Sequence, residues 1–86
     1  MKRIGLIGGM SWESSLEYYK KINEEVKKQL GSSHSANCIM YSYDFQLIEE
    51  LQHNGKWDEL TISMVNEANN LKKAGADFIV ICTNTM

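Results

Sequence analysis

Proline is missing altogether from the 86 residues, an absence that carries no functional reading. Cysteine is nearly missing. Cys38 and Cys82 are the two present, each inside an apolar run and far apart, too few and too widely spaced for a disulfide framework. Reduced thiols in a cytoplasmic protein are the simpler expectation. No apolar run is long enough to span a bilayer, and the stretch after Met1-Lys2-Arg3 is too short for a signal peptide. Charge of one sign is missing as well. Nine basic and eleven acidic residues, interspersed, give a net charge of -2. That leaves no basic patch for nucleic acid and no charged tail, although local amides can still bind an anionic substrate. Neither Gly-x-Gly-x-x-Gly nor a P-loop Lys-[Ser/Thr] occurs, which argues against a dinucleotide site. No His/Cys/Asp cluster has metal-ligand spacing.

What remains is ordinary globular composition, 43% hydrophobic and 23% charged. It is enough for one small domain with little stability margin. Residues 3–7 read as a strand punctuated by Gly8-Gly9. Trp12, Leu16, Tyr19, Ile22, Val26 and Leu30 then recur at spacings of three and four, one apolar helical stripe. Ser11 stands at its N-cap and Gly31 at its stop. Residues 36–43 read as a second strand. Asp44 suits the cap of a short helix carrying Phe45, Ile48 and Leu51, which Asn54-Gly55 breaks. A longer helix over 57–74 carries the stripe Trp57, Leu60, Met64, Ala68 and Leu71. Trp12 and Trp57 are expected as core anchors. Residues 78–82 form a continuous apolar run, of the kind buried on both faces of a parallel sheet.

The order β-α-β-α-α-β predicts a three-layer α/β/α architecture around a parallel sheet with right-handed crossovers. In the flavodoxin-like strand order 2-1-3 the crossovers leave the first strand in opposite directions. A crevice then opens between the carboxyl ends of the first and third strands, where open α/β sheets bind ligands. Those ends carry Gly8-Gly9-Met10-Ser11 and Thr83-Asn84-Thr85, so the two small, polar motifs face each other.

Each motif has a plain reading beside the functional one. The glycine turn at a helix start lets a backbone approach a carboxylate or phosphate; taken alone it is a tight strand-to-helix turn. Thr83, Asn84 and Thr85 offer two hydroxyls and an amide to an α-carboxylate or α-amino group; taken alone they close a strand. Cys82 is a reactive thiol or a small buried hydrophobe. Cys38, mid-strand, fits core packing. His34 and His53 fit solvated surface positions.

Together, residues 4–14 and 79–86, with Glu49-Glu50-Leu51-Gln52 and Gly55-Lys56-Trp57-Asp58, resemble the aspartate/glutamate racemase family, and within it the broad amino-acid racemase branch. The resemblance runs the whole length of the chain. It implies a racemase of α-amino acids, independent of pyridoxal phosphate and of any other cofactor. Two similar α/β domains place one acid/base group on each face of the substrate Cα. Two groups are needed because removal and return of the proton on one face restores the same enantiomer. Cysteine suits the task because its pKa can be tuned towards neutrality.

The family's first-domain motif is Cys-Asn-Thr. Anchoring on Asn84-Thr85 puts Thr83 in the acid/base position and Cys82 one residue earlier, the runner-up. Neighbours on a strand face opposite ways, so the two cannot both enter the site. A threonine there implies a one-sided or stereochemically biased enzyme, or a hydroxyl activated differently. The resemblance further implies substrate contact by Met10, mainly through its backbone and as a wall, with Ser11 beside it, and by Gln52, Asn84 and Thr85.

Residues 1–86 are therefore expected to be a partial N-terminal domain, with the second domain and its cysteine motif absent. The partners expected are a small amino-acid substrate and, through a third strand left with an open edge, another copy of the chain; no nucleic acid or membrane is expected. The alternative is a non-catalytic fragment that binds a small carboxylate or a protein partner. A further alternative, a piece of an unrelated α/β signalling protein or reductase, would show itself by a bound flavin or nicotinamide.

Overall fold

The computed structural model describes residues 1–83. Its elements follow the expected order: β1 (Ile4–Gly8), α1 (Trp12–Leu30), β2 (Cys38–Ser42), α2 (Phe45–His53), α3 (Trp57–Lys73) and β3 (Phe78–Ile81). The three strands form one sheet in the order β2-β1-β3. Both pairings are parallel, with Leu6 opposite Met40 on one side and Val80 on the other. The sheet is flavodoxin-like in strand order. Its boundaries differ from expectation by a residue or two: β1 takes in Gly8, and β2 is narrower than 36–43. Cys82 lies just past β3, although its N–H still donates to the Ile7 carbonyl at 2.8 Å. At the opposite end of the sheet the Arg3 N–H donates to the Asp77 carboxylate at 2.6 Å. The Asp77 N–H returns a bond to the Arg3 carbonyl at 2.7 Å, which pins the β1–β3 register.

Alternation along the strands divides the core between two faces. Ile7 packs with Met10, Ile48, Leu60, Leu71 and Ala76 on the side covered by α2 and α3. Leu6 and Cys82 are buried on the opposite side, where the backbone of Gly8 lies against Ser15 of α1. The Asp44 side chain caps α2 by accepting from the Gln46 N–H, as expected.

Three expectations need correction. Trp12 is 64% exposed, and Trp57 is exposed as well. Neither anchors the core. The cause at α1 is its rotation. Ser15 is the helix's one buried residue, and Ser14, Tyr18, Ile22 and Val26 are half-buried beside it. The helix thus meets the sheet through small and mixed residues, and Trp12, Leu16 and Tyr19 fall to one side. There they overhang a groove of about 450 Å³ shared with Cys38 and Met40. Cys38 is accordingly half-buried rather than core. The third correction is β3. Phe78 and Ile81 are 42% and 48% exposed, because β3 stands at the edge of the sheet. The strand buried throughout its centre is β1, from Gly5 to Gly8.

Candidate functional site

The carboxyl ends of β1 and β3 come together as the topology requires. β1 ends in Gly8, and the chain turns sharply at Gly9, whose φ is +87°. That conformation suits glycine. The space demands it too, since a Cβ at Gly9 would collide with the Tyr43 backbone. The Tyr43 N–H donates to the Gly8 carbonyl at 2.8 Å, so the exit of β2 braces one side of the turn.

The other side is braced by β3. The Thr83 hydroxyl donates to the Met10 carbonyl at 3.0 Å, across 73 residues of sequence. The Tyr18 hydroxyl reaches the Thr83 carbonyl at 3.5 Å, a long contact from α1. The two motifs singled out in the sequence are therefore joined directly, and α1 touches both.

Met10 contributes its backbone here. Its side chain is fully buried among Ile7, Ile48 and Leu60, so it presents a carbonyl to Thr83 rather than an exposed wall. Ser11 occupies the N-cap position of α1 but makes no side-chain capping bond. Its hydroxyl points instead to Ser14 at 3.5 Å. The first-turn amides of an α-helix have no intrahelical partner, and this helix start carries no side-chain cap to occupy them.

Cys82 and Thr83 separate by environment. Cys82 is 0% exposed, and burial pushes its thiol up from the ordinary cysteine range, with a smaller push from Cys38. A thiol held this way stays protonated near neutrality and packs as a small apolar side chain. Thr83 is half-buried, with its hydroxyl engaged at the turn. Gln52 lies on α2 and lines a different, shallow hollow of about 580 Å³ with Glu49, Glu50 and His53. None of Met10, Ser11, Cys82 and Thr83 lines that hollow. The expectations for Asn84 and Thr85 fall outside the described residues.

Sequence reasoning missed three residues. Ser15 holds the glycine turn: the Gly9 N–H donates to its hydroxyl at 2.8 Å. Tyr18 reaches Thr83. Tyr43 braces Gly8 and donates to or accepts from the Ser63 hydroxyl at 2.8 Å. Burial raises the Tyr43 phenol above its usual range, an effect that the Ser63 bond opposes and that Glu67 and Tyr41 reinforce. Apolar periodicity passes over Ser15. Its one signal was the pairing of a glycine at the strand end with a small residue one helical turn later. Among the described residues no group of three or more His, Cys, Asp or Glu side chains is placed to hold a metal ion. No helix of that region is long and apolar enough to cross a membrane.

Comparison with known proteins gives this geometry a relationship. The family model described as Asp/Glu/Hydantoin racemase matches residues 7–86. Among solved structures, a candidate Asp/Glu racemase from Yersinia pestis superposes with a TM-score of 0.96 at 57% identity, over 100% of this chain. An aspartate racemase homologue from Pyrococcus horikoshii superposes with a TM-score of 0.84 at 36% identity, over 99% of this chain. The chain spans 37% of the length of each.

Proposed function

This chain belongs to the Asp/Glu/hydantoin racemase family, and from that premise we propose that it supplies one half of an amino-acid racemase site. In the complete parent protein the reaction is racemisation of an acidic α-amino acid by proton transfer at Cα, without pyridoxal phosphate. The observation that carries the reading is the Thr83–Met10 bond. It joins the exit of β3 to the β1–α1 turn at the two strand ends, where open α/β sheets bind ligands.

In this reading the start of α1 receives a substrate carboxylate. Its uncapped amides and the positive end of the helix dipole favour an anion. Thr83 stands in the acid/base position of the first half-site. Asn84 and Thr85 hold the α-substituents, and Gln52 contacts substrate, all three on the family resemblance. Cys82 packs as a buried apolar side chain and does not exchange protons. A hydroxyl gives up its proton far less readily than a thiol, so Thr83 makes the site unequal. The enantiomer whose α-proton faces the group supplied from outside this chain exchanges that proton with solvent faster, while kcat/KM for inversion stays equal in the two directions because the enantiomers are equal in free energy. Cytoplasmic placement is part of the same proposal and rests on the two free thiols.

The test is an assay of the parent with each enantiomer of aspartate and glutamate. The reading predicts conversion without added pyridoxal phosphate and, in deuterium oxide, entry of deuterium at Cα that is faster for one enantiomer. Equal rates of deuterium entry from both enantiomers would remove the unequal site, and no conversion of any α-amino acid would remove the racemase.

A second reading concerns the chain by itself. It spans 37% of its structural relatives, and proton transfer on two faces needs a second group. The 86-residue chain alone is then a non-catalytic unit that binds a small carboxylate or a partner. Racemisation by the purified, sequence-verified chain would overturn it.

A further inference from the structure

We propose that Ser15 is a positioning residue for the crevice, the group that sets the Gly9–Ser11 turn in its ligand-binding geometry. The proposal rests on the racemase reading above for its substrate, but its structural half stands on geometry alone.

Ser15 is the one buried polar residue among those described, at 4% exposure. A hydroxyl removed from water needs partners, because an unsatisfied one destabilises the fold. Ser15 has two. Its oxygen accepts the Gly9 N–H at 2.8 Å, and its proton goes to the Ser11 carbonyl at 3.4 Å. One side chain thus spans the turn and fixes its first and last residues.

The fit leaves little room for substitution. A Cβ on Gly8 would stand 2.5 Å from the Ser15 oxygen, so Gly8 is small where Ser15 approaches. The side chain that answers this close approach must be short, and it must accept a hydrogen bond at Gly9. Alanine meets the first need and not the second. Threonine meets the second but adds a methyl group in a packed site. Between Gly9 and Ser11 stands Met10, whose carbonyl receives the Thr83 hydroxyl. Ser15 therefore acts on Thr83 through the turn without touching it.

Ser15→Ala is the test, with Ser14→Ala as control. Ser14 sits on the same turn of α1 and bonds to Ser11 but not to Gly9. By NMR hydrogen exchange of the 86-residue chain, Ser15→Ala should speed Gly9 amide exchange at least tenfold, while Leu6 and Ile7 in β1 stay protected. Ser14→Ala should leave Gly9 unchanged. Unaltered Gly9 exchange in folded Ser15→Ala overturns the proposal. Should that variant not fold, the wild-type chain decides: Gly9 must be protected to the level of Ile7, and exchange at an open-loop rate overturns it.

In the parent, with L-aspartate and L-glutamate as probes, Ser15→Ala should lower kcat/KM at least tenfold, with a fall in kcat as well as a rise in KM. Ser14→Ala should stay within threefold of wild type. A Ser15→Ala parent with wild-type kcat and KM, despite faster Gly9 exchange, removes the positioning role. A wild-type parent with no racemase activity removes the racemase reading instead, and Gly9 exchange still judges what Ser15 does to the turn.

Discussion

Cys82 and Thr83 are adjacent in sequence and opposite in chemistry. The thiol is the more conspicuous candidate by type, yet it is sealed in the sheet and pushed towards its protonated form by burial. Reactivity of a cysteine follows thiolate fraction and access, and Cys82 has little of either. Iodoacetamide at pH 7.5 should therefore modify Cys38 in the native chain and spare Cys82 until denaturant is added; peptide mass mapping reads this directly. Preferential labelling of native Cys82 would return it to the catalytic position. Thr83 carries a different expectation. Thr83→Val keeps the shape and deletes the bond to the Met10 carbonyl, and a typical buried hydrogen bond contributes about 1 kcal/mol. Urea unfolding should show a loss of that order, and no measurable loss would mean that the strand ends are not joined through this hydroxyl.

At the scale of elements, the alternation of strands and helices was readable because each helix carries a 3.6-residue apolar period and each strand an apolar run. Strand order and the convergence of Gly8–Ser11 with Thr83 followed from topology. The facing of α1 did not. Periodicity locates an apolar stripe, but which side of a helix meets a sheet depends on how closely the backbones approach, and here Gly8 and Ser15 decide it. The exposure of β3 is hidden in the sequence for a related reason. A run such as Phe78 to Cys82 is apolar whether it lies inside a sheet or at its edge, and sequence does not say which neighbours it lacks. Substitutions in the helices should follow the observed facing. Leu60→Ala, in the α3 core, should cost about 2–5 kcal/mol. Trp12→Ser, on the exposed rim of α1, should stay within about 1 kcal/mol, as surface changes do. A large loss at Trp12 would mean that α1 packs by its stripe after all. Gly9→Ala, at a positive φ and against the Tyr43 backbone, should destabilise by roughly 2–4 kcal/mol, measured in the same way.

For the molecule as a whole, two groups, one buried and one half-buried, set an alkaline limit. Both the Cys82 thiol and the Tyr43 phenol titrate higher in the folded chain, so the fold favours their protonated forms. Their contribution is complete below the unfolded pKa values, about 8.5 for cysteine and about 10 for tyrosine. It is lost as pH rises past them, because the unfolded chain then releases protons first. The urea midpoint should fall between pH 7.5 and 10, and Cys82→Ala should show a shallower fall. The exposed edge of β3, with Phe78 and Ile81, also fits association of the isolated chain. Sedimentation should then show a concentration-dependent mass that substitution of Ile81 by lysine lowers.

The proposed function makes the joined strand ends part of an enzyme that exchanges the α-proton of an amino acid. Incubation of the parent protein with L-aspartate or L-glutamate in deuterium oxide, followed by proton NMR of the Cα position, tests it most directly. Deuterium should replace the α-proton without added pyridoxal phosphate, and the rate should drop in Thr83→Val. Full retention of the α-proton, with these and every other α-amino acid tried, would contradict it.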